Sequence, residues 1–272
     1  MSQITRAMEM VSAAKMRRAQ QRVFASRPYS ERLQAVIADL SALNVDPEQT
    51  AAFPLLEQRE VKRAAVILIT PDRGLTGALS TNIIRRASRY IVGEAGVPVE
   101  VIATGKKGRD FVVRTRQEMA AEFTGLGDAP SLDDVRPIAD VALQDFIAGK
   151  VDAVYVVFAR FVNTLNQVPE IRQILPIEKP EEVGTYTDYI FEPSPAAVLQ
   201  ALLPRYVEIQ VYQALLESIA SEHSARMVAM RNASENAKDL VADLTLAGNK
   251  ARQAQITREV AEISAGANAL GG

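Results

Sequence analysis

The chain has 272 residues, 48% of them hydrophobic and 24% charged, with a net charge of −2. That is room for one globular domain plus extended elements, without the basic excess of a nucleic-acid binder. There is no cysteine and a single histidine, His223, which excludes disulfides, thiolate chemistry, cysteine-ligated metals and any catalytic pair of histidines. No apolar run reaches the roughly 18–20 residues needed to span a bilayer; the longest, around Val151–Val162, is broken by Asp152 and Arg160. At the N-terminus, Glu9, Lys15, Arg17 and Arg18 arrive too early for a signal peptide. The expected location is therefore the cytosol, with any membrane attachment made through a partner.

Residues 2–44 are rich in Ala, Met, Gln, Glu and Arg, good helix formers all. Apolar residues step by three and four along Ile4, Met8 and Val11, then Met16, Ala19 and Val23, then Leu33, Ile37 and Leu40. This spacing predicts one long helix with a coiled-coil seam. Pro28 falls inside it; because the phase survives from Val23 to Leu33, a kink is expected rather than a break.

The middle alternates strands and helices. Ala64–Thr70 reads as a buried strand, followed by an amphipathic helix through Ile83, Ile84, Tyr90 and Ile91. Val97–Thr104 is the next strand, Lys106–Arg116 a short helix and Met119–Thr124 a weak strand. Leu132–Ala148 is a helix, Val151–Phe161 a strong strand and Val168–Leu175 a last one. The final two lie too close together for a parallel crossover and should pair antiparallel. The rest point to a small, open, mostly parallel sheet. Pro176–Pro195, with its prolines, reads as a linker.

Ser194 and Pro195 fit the N-cap and first position of a final helix running to about Leu270. Tyr206, Ile209, Leu216, Ile219, His223, Met227 and Met230 keep the three-and-four step, and Ile256, Val260, Ile263, Ala267 and Leu270 resume it. A helix of that length is on the order of 100 Å long and cannot fit inside a compact domain of this size. The expected fold is therefore α/β plus long α: an antiparallel two-helix coiled coil from both chain ends, with a small open α/β domain inserted. The expected divisions are 1–58 for the N-terminal helix and linker, 59–180 for the α/β domain, 181–196 for a linker or foot, and 197–272 for the C-terminal helix.

Catalytic motifs are missing from the sequence. Gly74 and Gly77 after the first strand do not make G-x-G-x-x-G, Gly105 and Gly108 do not make a P-loop, and these glycines are read as turn formers. Asp133 and Asp134 sit where they complement a helix dipole. His223 falls on the seam, and Met8, Met10, Met16, Met227 and Met230 have the spacing of packing residues. No catalytic, cofactor or metal residues are assigned. Arg6, Lys15, Arg17, Arg18, Arg22, Arg27 and Arg32 are offset along their own stretch of the first helix only by Glu9 and Glu31. They form either a solvated face or a positive stripe for an acidic partner.

Segments 4–20, 222–237 and 249–264, together with Asp72–Gly77, Pro130–Leu132, Gln167–Pro169 and Tyr189–Pro193, resemble the gamma subunits of F-type rotary ATP synthases, in order and over nearly the whole chain. That resemblance implies a central rotor shaft that couples proton-driven rotation of a membrane c-ring to conformational change at catalytic beta-subunit sites, without a catalytic site of its own. It implies one copy per complex, partnered by alpha and beta subunits, an epsilon-type subunit and the c-ring, at the cytoplasmic face of the cell membrane. It further places Arg6, Met8, Arg226, Gln253, Thr257 and Glu262 against the catalytic ring, and Tyr189, Phe191 and Glu192 against the c-ring. Family members usually carry about four more helical turns before Ile4. If Leu40 pairs with Tyr206, Ile4 falls opposite about Ala242, and everything beyond lacks an internal partner. An upstream start codon or support from the surrounding ring would account for that.

Two other functions fit the same elements. A nucleotide-binding α/β enzyme with helical dimerisation arms would bind ATP or NAD saturably, and a generic coiled-coil scaffold would form a stable homodimer.

Overall fold

The computed structural model describes residues 2–42, 53–178, 192 and 194–270. Helix α1 (Ser2–Ala42) runs unbroken through Pro28. Helix α5 (Pro195–Leu270) has 76 residues, roughly 110 Å at 1.5 Å per residue. Its start is capped as expected, with Ser194 Oγ accepting from the Ala197 amide at 3.2 Å.

Between them, five strands form one sheet in the order β3-β2-β1-β4-β5. Strands β1 (Ala64–Ile69), β2 (Val99–Thr104), β3 (Glu118–Phe123) and β4 (Ala153–Phe161) are parallel. Strand β5 (Gln167–Leu175) returns antiparallel along β4, as the short connection requires. Helices α2 (Leu79–Arg89) and α3 (Lys106–Thr115) cover one face; α4 (Leu132–Ile147) and α5 cover the other, and the base of α1 packs on α5 as part of the same core. Strand alternation divides β1 between the two layers. Ala65, Ile67 and Ile69 join the α4/α5 core, while Ala64, Val66 and Leu68 join the α2/α3 core. At α4, Ser131 Oγ accepts from the Asp134 amide and the Asp134 carboxylate accepts from the Ser131 amide, a reciprocal cap.

The terminal helices pair antiparallel, but in a register different from the expected one. Thr5 meets Ser234, Glu9 lies 3.6 Å from Arg231, and Ser30 donates to Gln213 at 3.3 Å. Ile4 therefore lies near residue 235, about two turns short of Ala242. The base of α1 reaches further down α5 than assumed, where Leu40 shares a core with Leu199 and Leu203. The upper seam differs too. Ile4 and Val11 are exposed, and Ser12 takes the buried position that continues Met16, Ala19 and Val23. Along the same stretch of α5, Ala220, Ser221 and Ser224 are buried too, the two serines donating to the Ala159 and Thr164 carbonyls of the α/β domain.

Candidate functional site

Three places on this scaffold can carry function: the sheet's carboxyl edge, the junction between domain and helices, and the free part of α5. At the carboxyl edge, open α/β folds usually leave a ligand crevice. Here it is filled from within. Leu215, Ile219 and Glu222 of α5 close over Thr70, Thr104 and the Gly125–Gly127 turn, leaving about 40 Å³. The amino end of α3, where a phosphate would bind, is taken by a side chain: Asp72 accepts from the Lys106 amide and from the Gly125 amide, both at 2.9 Å. Gly105 is confined by contact, since a Cβ there would stand 1.9 Å from the Thr70 carbonyl oxygen. Among the described residues no three His, Asp or Glu side chains converge as metal ligands would.

The junction holds a half-open cavity of about 560 Å³ between α1, α5 and the loop after β1. Ile4, Met8, Val11 and Leu75 supply apolar lining; Lys15, Arg73, Asp128, Glu222, His223 and Arg226 supply charge. Arg226 is fixed on two sides, donating to Glu222 at 2.6 Å and to the Gly74 carbonyl at 3.3 Å. Burial raises the Glu222 carboxyl above its usual range, with Arg226 opposing. Burial lowers the His223 imidazole, against the pull of the Asp128 charge. His223 Nε2 lies 3.1 Å from Asp128, yet neither ring nitrogen has an aligned hydrogen-bond partner among the described residues. Asp128 itself sits low: burial alone would raise it, but the hydrogen bond from Lys15 and the neighbouring cationic groups outweigh that.

Beyond the junction, α5 continues alone. Every described side chain from Lys238 to Gly266 is exposed. They include Leu244 (63%), Ile256 (51%), Val260 (56%) and Ile263 (72%). Left in water, each such apolar side chain forgoes roughly 1.5–3 kcal/mol relative to burial.

Comparison with known proteins decides what this shape is. Residues 1–270 match a family model described as ATP synthase. The ATP synthase gamma chain of Roseiflexus castenholzii is 57% identical over 99% of this chain and 93% of its own length. That of Dehalococcoides mccartyi is 51% identical over 99% and 94%. The chain belongs to the ATP synthase gamma chain family. The gamma fold extends to distant relatives. The rotor of the Euglena gracilis mitochondrial ATP synthase aligns with a TM-score of 0.63 at 23% identity, covering 94% of this chain and 93% of that one. The central stalk and c-ring structure from Tetrahymena thermophila gives 0.61 at 23%, covering 85% and 99%.

The residues that the gamma-family resemblance singles out fall into three groups. Met8 and Arg226, far apart in sequence, line the same junction cavity, with Arg6 exposed two residues from Met8 on α1. Gln253, Thr257 and Glu262 are all exposed, roughly 40–55 Å further along α5 than Arg226. Gln253 and Thr257 share one face by their four-residue spacing. Glu192 is exposed, while Tyr189 and Phe191 lie outside the described residues. Sequence reasoning missed Asp128, a single acid in a loop with no motif around it, and gave no role of its own to Asp72 within the family-like segment Asp72–Gly77; only the fold shows what the two acids touch.

Proposed function

We propose that this gamma-family chain is the central rotor shaft of a proton-driven ATP synthase, non-catalytic, turning inside a ring of alpha and beta subunits. One observation carries this reading: a single helix projects fully solvated from Lys238 to Gly266 while displaying large apolar side chains. Such a face needs a surrounding partner, and the likeness to ATP synthase gamma chains supports an ATP synthase ring in that place. In this reading Arg6, Met8 and Arg226 meet the ring near the junction, and Gln253, Thr257 and Glu262 meet it near the tip. Tyr189, Phe191 and Glu192 meet the membrane c-ring, and an epsilon-type subunit binds the α/β domain. The shaft works at the cytoplasmic face of the cell membrane, held there by its partners; among the described residues no helix is long and apolar enough to cross it.

The mechanism follows from shape. Torque delivered to the base reaches the tip only through helices that resist twisting. The paired region from Thr5–Ser234 down to Ser30–Gln213 is stiffer than α5 alone. Contacts with the ring must be weak and distributed so that no angle traps the rotor; exposed ion pairs, worth ~1 kcal/mol or less, meet that need. The filled crevice at the sheet edge disfavours a nucleotide-binding enzyme.

Purification of the intact complex tests the proposal: one copy per three beta subunits is expected, and two or more would sink it. Within that complex, Gln253→Ala with Thr257→Ala should lower ATP synthesis more than complex abundance. Unchanged synthesis per complex would remove those residues from the coupling surface.

A further inference from the structure

The two long helices are held to the α/β domain in different ways. Helix α5 is part of the domain core: Leu199, Leu203 and Val207 pack in the cluster that holds Val154 and Val156 of β4. Ser221 Oγ adds a buried hydrogen bond to the Ala159 carbonyl at 2.9 Å. Helix α1 leans on α5 across a largely apolar seam that includes Met16, Ala19, Leu33 and Ile37, with side-chain contacts at Thr5–Ser234, Glu9–Arg231 and Ser30–Gln213. Apolar contact of that kind is non-directional; it resists separation better than it resists sliding along the axis or rolling. A rotor needs the second resistance as well.

Among the described residues, the hydrogen bonds from α1 to the α/β domain meet at one residue. Lys15 Nζ donates to the Asp128 carboxylate at 2.6 Å, and Arg22 Nη1 donates to the Asp128 carbonyl at 3.0 Å. Lys15 and Arg22 are seven residues apart, two turns on one face, so Asp128 is gripped from above and below. The other carboxylate oxygen lies 3.1 Å from His223 Nε2 on α5. Asp128 thus touches both helices at once, beside the end of β3. Its loop is shaped by Gly125 and Gly127, at φ 78° and 75°, and tied at its root by Asp72, which also caps α3. The carboxylate is a fixed point of the domain rather than a mobile surface charge.

We propose that Asp128 is a positioning residue that locks α1 to the α/β domain, so that both helices of the shaft turn as one body. This rests on the rotor reading and deepens it: torque enters α1 through this loop as well as through the seam. Lys15 and Asp128 are roughly half exposed, so the pair is modest in energy. Its contribution is directional.

The test uses the assembled, membrane-bound complex carrying Asp128→Asn, Lys15→Met, or both. Asparagine keeps the shape and the backbone carbonyl; methionine leaves the loop untouched. Each single variant should lose ATP synthesis per complex while ATP hydrolysis by the detached catalytic sector persists, and the double variant should be no worse than either. Amides of residues 12–26 should exchange roughly fivefold faster, the shift expected for losing one surface-type pair. Synthesis and exchange unchanged in complexes of normal composition, or losses that add, would overturn the lock. If even the native chain fails to purify with a catalytic ring, it is the rotor reading that falls.

Discussion

Helix α5 is one continuous element with two unlike halves. From Leu199 to Met230 it buries Leu203, Val207, Ile209, Leu216 and Ile219 against the sheet, α4 and α1. From Lys238 to Gly266 nothing is buried. Both halves carry apolar residues at three-and-four spacing, so sequence pattern alone assigns them the same role. The first half stabilises the chain; the second reserves its apolar face for contacts outside it. A seam pattern records that a face will be covered, not by which molecule.

The largest effect that could break this contrast comes from matched leucines. Leu216→Ala, at a site 1% exposed, should destabilise the isolated chain by about 2–5 kcal/mol in denaturant unfolding. Leu244→Ala, at 63% exposure, should change it by less than about 0.5 kcal/mol. Equal costs would mean that the upper half is packed in solution, against itself or a second copy. Hydroxyl deletions sharpen the contrast at smaller scale. Ser221→Ala strands the buried Ala159 carbonyl and should cost about 1–3 kcal/mol. Thr245 Oγ1 bonds only back to the Val241 carbonyl on its own helix, in water, so Thr245→Ala should be within about 0.5 kcal/mol of neutral.

Much of the architecture was legible because local signals agreed with one another. The alternation of strands with helices, the Ser194 cap and the short β4–β5 connection each placed its element within a residue or two. The register of the two long helices was not legible. With small residues such as Ser12, Ala19 and Ala220 among the buried positions of the paired helices, sliding by a turn changes little in the hydrophobic pattern. Within β2 the apolar run hid Glu100, fully buried yet ion-paired to Arg63 at 3.3 Å and Lys150 at 3.2 Å, partners remote in sequence. The junction followed the same rule. Met8 and Arg226 were found through resemblance, but that they share one cavity, and that Asp128 ties the helices beside it, depends on three-dimensional placement.

The smallest expected effect concerns pH, and it isolates the buried half of α5 at its upper limit. His223 is 2% exposed, and burial lowers its pKa against the opposing charge of Asp128, with Arg226 and Lys15 adding to the lowering. Below about pH 6.5 the unfolded chain takes up a proton at this imidazole that the folded chain refuses. Stability therefore falls as pH drops through that value, and levels off once the folded imidazole is protonated too. Glu222 acts in the opposite sense: its raised carboxyl favours the fold at low pH, and that contribution is lost as pH rises above about 4.3. Asp128, held low, matters only below about pH 3.9. His223→Gln removes the first of these slopes and leaves the others. The difference in unfolding free energy between native and variant chains should thus be flat above about pH 7 and shift in the variant's favour as pH falls below about 6.5. A difference that stays flat across that range would mean water reaches the imidazole, and the covered half of α5 would then end below residue 223.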